Sequence, residues 1–179
     1  LREGSISSPS CWPQDNRRFH DASRSNPMSK EQNLQVTQRL GEAVSTGNLQ
    51  ALNEIFAASV VDHDPAPDQG KGPEGFIKFF SMMRSAFPDL KVTVDHVVQD
   101  EDNLAMAYKI HGTHNGDFLG IAPTGKTVEA RGMQIARYED GKIVERWGSS
   151  DELGLVKQLG ASIDSGKGFF EKVGEKLGG

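Results

Sequence analysis

Three side chains are the first candidates for moving a proton near neutral pH: His63, His114 and Asp151. An imidazole titrates close to neutrality, so it can accept a proton or donate a hydrogen bond to a carbonyl. His63, within Val61-Asp62-His63-Asp64-Pro65, reads either as a base or ligand anchor or as a turn residue bonding nearby backbone. His114 reads either as a proton-transfer group at a strand end or as a packing residue that ties down the loop from Asn115 to Gly125. Asp151 can reach a cavity rim, or it can serve as the N-cap of the helix that follows it. Arg146 on an inward face would be costly to bury alone, so it is expected to anchor an oxyanion or to pair with an acid. Tyr108 and Gln134 would orient a polar substituent or fill the core, and Phe80, Ile110 and Phe118 would supply apolar wall. His96 reads as a core histidine.

Neither a metal nor a cofactor is expected. His111 and His114 have a spacing that suits one face of a helix, but on a strand they point to opposite sides. The chain has no cysteine cluster, no phosphate-cradling glycine loop and no nucleophile elbow.

The elements that must position these residues come in two blocks. Helical spacing runs from Gln32 to Ser45 through Val36, Leu40, Ala43 and Val44, and a short second helix follows Asn48 with Leu49, Leu52, Ile55 and Phe56 as its stripe. A short extended piece spans Val60 to Pro65. A third helix starts at Gly72-Pro73 and carries Phe76, Phe80, Met83 and Phe87 on one face. Four strand-like runs then cover residues 90–99, 103–114, 126–138 and 142–150, and a helix follows from Asp151 to Leu159. Helices first and a strand meander afterwards predict an α+β domain, with the three N-terminal helices on one face of an antiparallel sheet.

Parity assigns the faces. Val92, Val94, His96 and Val98 share one face, and Leu104, Met106, Tyr108, Ile110 and His114 share another that points inward, leaving His111 outside. At Glu139-Asp140-Gly141 a two-residue loop would pair Gln134 with Trp147, and a three-residue loop would pair it with Arg146. The second is favoured. It puts Gln134, Ala136, Tyr138, Val144, Arg146 and Gly148 inside and sends Glu145 and Trp147 out. Trp147 is thereby a candidate for a homodimer contact as well as for ligand binding, since one sheet face would otherwise stay bare.

Composition bounds the rest. With 179 residues, 36% hydrophobic, 25% charged and a formal net charge of −5, the chain reads as one globular domain with tails. No basic stripe invites nucleic acid or an anionic membrane, and no run of 18 apolar residues exists. The single cysteine, Cys11, cannot close an intrachain disulfide, and residues 1–27 lack a secretory apolar region, so a cytoplasmic protein is expected. Residues 1–27 read as a disordered tail, 28–160 as the domain, and 161–179 as a second tail in which Phe169, Val173 and Leu177 suggest a short amphipathic helix.

Several segments carry a family likeness. They are Gly112-Thr113-His114-Asn115-Gly116-Asp117-Phe118-Leu119-Gly120, Pro123-Thr124-Gly125-Lys126, Asp140-Gly141-Lys142-Ile143-Val144-Glu145 with Trp147 and Asp151, and Gln158-Leu159-Gly160. With Phe87-Pro88-Asp89-Leu90 and the His63 segment, they resemble the SnoaL-like polyketide cyclases and predicted ester cyclases of the nuclear-transport-factor-2-like superfamily, over roughly Met28 to Gly160. The resemblance implies a cone with an apolar ligand cavity and an intramolecular aldol ring closure without metal or cofactor. It also implies an acid/base Asp near the end of the last long strand, at a position that Gly148 occupies here. Three functions therefore stand at this point. One is a cofactor-free cyclase, isomerase or hydrolase acting on a small apolar carbonyl compound through His63, His114 and Asp151. Another is a noncatalytic carrier or sensor on the same fold, and the third is an epoxide hydrolase or ketosteroid-isomerase-like enzyme.

Overall fold

The computed structural model describes residues 30–160; the expectations for residues 1–27 and 161–179 lie outside them. Helix α1 (Lys30–Thr46) buries Val36, Leu40, Ala43 and Val44, the stripe its spacing predicts. The second helix is shorter than its stripe suggests. A 3-10 turn (Leu49–Ala51) leads into the single turn α2 (Leu52–Ile55), and Phe56 already opens strand β1 (Phe56–Asp62). Helix α3 (Gly72–Ala86) has Pro in its first turn and ends as Phe87 closes its last hydrogen bond to the Met83 carbonyl. Strands β2 (Lys91–Gln99), β3 (Asn103–Thr113), β4 (Thr127–Glu139) and β5 (Lys142–Ser150) follow, and α4 (Glu152–Leu159) closes the domain.

The five strands form one sheet in the order β1-β5-β4-β3-β2. β2 to β5 are antiparallel neighbours, but β1 lies parallel to β5, so the sheet is mixed rather than wholly antiparallel. The extended piece expected at Val60 is the end of this edge strand, placed there because α3 and the whole meander intervene before β5 returns beside it. Helices cover the inner face. β4 shows the alternation most cleanly: Val128, Ala130, Gly132, Gln134, Ala136 and Tyr138 are buried, and the residues between them are open to solvent.

Two bulges change what simple alternation predicts. Register slips between Val94 and His96, so the inward set of β2 passes from Val92 to Val97 and Gln99, and His96 and Val98 are exposed. His96 is thus on the outer surface rather than in the core. In the last hairpin Asp140 and Gly141 both have positive φ, 48° and 77°, as a two-residue turn of the hairpin-favouring hand requires. Glu139 pairs with Lys142, a bulge at Val144 restores parity, and Gln134 faces Gly148. Gln134 pairs with neither Arg146 nor Trp147, and the inward placing of Arg146 and Gly148 holds because turn and bulge together shift the register by an even number. No helix among the described residues is long and apolar enough to cross a membrane.

Candidate active site

Between α3, the sheet and the start of α4 lies a cavity in two joined parts. The inner chamber, about 100 Å³, is walled by apolar residues that include Phe79, Met83, Phe87, Ile110, Phe118 and Val128. The outer part, about 420 Å³, is polar and is lined by Asp62, Asp64, Gln69, Arg146, Gly148 and Glu152 among others. Ala66, Pro67, Phe79, Ser150 and Glu152 border both.

Arg146 is the pivot of the polar part. Its Nη1 donates to both oxygens of Asp62, at 2.9 and 3.2 Å, and only 6% of the Asp62 side chain and 20% of the Arg146 side chain are exposed. Asp62 is fully occupied: it also accepts from Gln69 Nε2 at 2.9 Å and from the Asp64 backbone N–H at 3.2 Å. Paired so, the guanidinium is held in place on the inner face without an uncompensated charge. Burial pushes the Tyr108 hydroxyl above its ordinary range, and the positive charge of Arg146 offsets part of that rise. Gly148 makes room for this arrangement. A Cβ there would stand 2.3 Å from Arg146 Nη2, and the Gly148 N–H is instead free to donate to Asp64 Oδ2 at 2.9 Å.

Glu152 is placed by a helix start. Asp151 caps α4 by accepting from the Gly154 N–H at 2.8 Å, and Glu152 is the first residue of the helix. Its carboxylate makes no hydrogen bond or ion pair among the described residues, although it borders both parts of the cavity.

The sequence candidates divide sharply. Ile110 and Phe118 line the chamber and Arg146 the polar part, while Tyr108 and Gln134 are buried on the same inner face. Phe80 packs edge-on against Phe79, which is itself a wall residue. Asp151 is exposed and spent on its cap. His63 and Trp147 lie on the outside of the sheet, their rings stacked at 4.4 Å, and His63 Nε2 is 3.0 Å from Glu145 Oε2. His114 is wholly buried behind Phe87, its Nδ1 accepting from the Thr124 N–H at 3.2 Å. That contact leaves the proton on Nε2, which is buried without a partner among the described residues. Burial also holds the His114 pKa below its ordinary value, with Asp117 acting weakly against it. The two imidazoles therefore share no cavity: β1 turns His63 outward beside β5, and the loop after β3 closes over His114. Sequence reasoning passed over Asp62, Asp64 and Glu152. The first two stood in plain view beside His63, and Glu152 stood one residue beyond the expected cap.

Comparison with known proteins places this architecture. The model of the SnoaL-like polyketide cyclases matches residues 34–159. The chain belongs to that family. It is 24% identical over 143 residues to the aklanonic acid methyl ester cyclase DauD of Streptomyces sp. (strain C5), an alignment covering 76% of this chain and 86% of that protein. The structure of TsrD from Streptomyces laurentii superposes with a TM-score of 0.70 at 26% identity, covering 75% of this chain and 99% of that one. IdmH from Streptomyces antibioticus gives 0.64 at 32% identity, over 71% and 97%. The family member described here carries its polar groups on β1, the loop after it, β5 and the first turn of α4, with glycine at 148.

Proposed function

We propose that this protein is a cofactor-independent cyclase that closes a carbon ring on a small, largely apolar ester bearing a ketone. The observation that carries the reading is the junction itself: an apolar chamber borders a fixed guanidinium and an acidic residue, Glu152, that has no hydrogen bond or ion pair among the described residues. Carbon-acid chemistry needs an apolar seat for the skeleton, a proton acceptor and a cation near the oxygen that gains charge. Ile110, Phe118 and Phe79 offer the seat. Arg146 offers the cation, stiffened by Asp62, so an enolate oxygen would meet a donor that need not reorganise. Tyr108 and Gln134, buried on the same inner face, stand behind it. In this reading His63 and His114 take no part in proton transfer, because the first pairs with Glu145 outside the sheet and the second is sealed behind Phe87.

Polar charge narrows the ligand. Arg146 is already balanced by Asp62, and Asp64 and Glu152 add acid to the same opening, so a neutral ester suits it better than a free carboxylate. The relatives' ester substrate is a fitting first trial. Incubation with aklanonic acid methyl ester should give a product of unchanged mass and new chromatographic retention. Saturable binding with no turnover would instead favour the carrier reading, to which glycine at 148 lends support.

A further inference from the structure

Three acidic residues line the polar part of the cavity, Asp62 partly buried and Asp64 and Glu152 exposed, and they are not equivalent. Asp62 has its oxygens taken by Arg146, Gln69 and the Asp64 N–H. Asp64 spends one oxygen on the Gly148 N–H and does not line the apolar chamber. Glu152 alone of the three borders both parts, and it has no hydrogen bond or ion pair among the described residues. A base must have an uncommitted lone pair within reach of the carbon it deprotonates. Of these groups, only Glu152 meets both conditions.

We infer that Glu152 is the catalytic base of the ring closure, an assignment that rests on the cyclase reading above. The Glu152 carboxylate takes a proton from the carbon beside the ester carbonyl, and the C–H electron pair moves into an enolate whose oxygen lies against Arg146. The enolate carbon attacks the ketone carbon, forming the new C–C bond. The ketone π pair becomes an alkoxide, which takes the proton back from Glu152. Substrate and product are isomers, so no oxidant, reductant or water is consumed, and the carboxylate is regenerated in one cycle. The cap on Asp151 gives the base a fixed origin at the chamber mouth.

The test compares wild type with Glu152→Gln and Glu152→Asp, using aklanonic acid methyl ester for turnover and proton NMR in D2O for exchange at the same carbon. Glu152→Gln keeps the shape and removes the acceptor, so kcat should fall about 100-fold or more while KM and the melting temperature stay close to wild type. Exchange should be lost in parallel, and Glu152→Asp should recover part of both. A Glu152→Gln variant within threefold of wild type overturns the assignment and leaves the cyclase reading intact. A wild type that neither cyclises nor exchanges the proton overturns both.

Discussion

Gly148 and Arg146 are best understood together, because the space of one side chain is filled by the other. With the guanidinium 2.3 Å from where a Cβ would sit, Gly148→Asp must either displace Arg146 or pair with it, and neither outcome leaves a free base. We expect that variant to melt lower than wild type and to gain no turnover, which thermal denaturation and a product assay will show. Asp62→Asn removes the counter-charge from a guanidinium whose side chain is only 20% exposed, and should cost about 3 kcal/mol in urea denaturation. His114 supplies a pH test. Its folded pKa is depressed below the ordinary 6.5 because burial disfavours the cation, so the unfolded chain binds the proton more readily. The stability it contributes is thus full above about pH 6.5 and declines as pH falls toward the folded value. The melting temperature should drop on acidification, less steeply in His114→Asn, and an equal slope in the two proteins would refute this origin. Part of this scale was legible beforehand: parity puts Arg146 and Ile110 on the inner face, where they line the cavity, whereas Phe118 comes from a loop that parity does not describe. The two histidines lie apart from the cavity, because titration range is a property of residue type, whereas access to a cavity depends on a pairing partner such as Glu145 or on a loop such as 115–125 that no spacing reveals.

At the scale of elements, the strands of the meander fall within a residue or so of where alternation and turn chemistry place them, and α3 starts at Gly72-Pro73 as its residues suggest. What alternation could not show is the bulge. One extra residue near Asp95 sends His96 out, and one at Val144 keeps Arg146 in despite a shorter turn than expected. Both are backbone events with no side-chain signature. β1 was equally hidden, since a parallel edge strand needs a distant partner that its own seven residues do not specify. Helix α4 makes its own prediction. Asp151→Ala removes the cap on Gly154 and should cost about 1 kcal/mol of stability. Turnover should fall as well, through the displaced first turn that carries Glu152; unchanged kcat would mean that α4 does not position the site.

For the whole molecule, the outer sheet face carries a row of apolar residues in direct cross-strand register, Val98, Ala105, Ile135 and Trp147, with exposed Met133 beside it. Such a face on a sheet whose other side carries the helices and the core fits self-association about a two-fold axis, the homodimer expected from Trp147 and proposed here. Ile135→Glu should therefore shift sedimentation from dimer to monomer, and a monomeric wild type at micromolar concentration would contradict it. A contact through the outer face would leave the inner cavity untouched, and ligand binding there is independent of it. Ala130 lies on the chamber wall, 5% exposed, and Ala130→Phe would fill space that the ligand needs. The decisive measurement is calorimetric titration of aklanonic acid methyl ester into wild type and Ala130→Phe, each first shown by circular dichroism to be folded. Binding to wild type, weakened at least tenfold in the variant, is the predicted result; equal affinity in the two would place the ligand elsewhere and contradict the account.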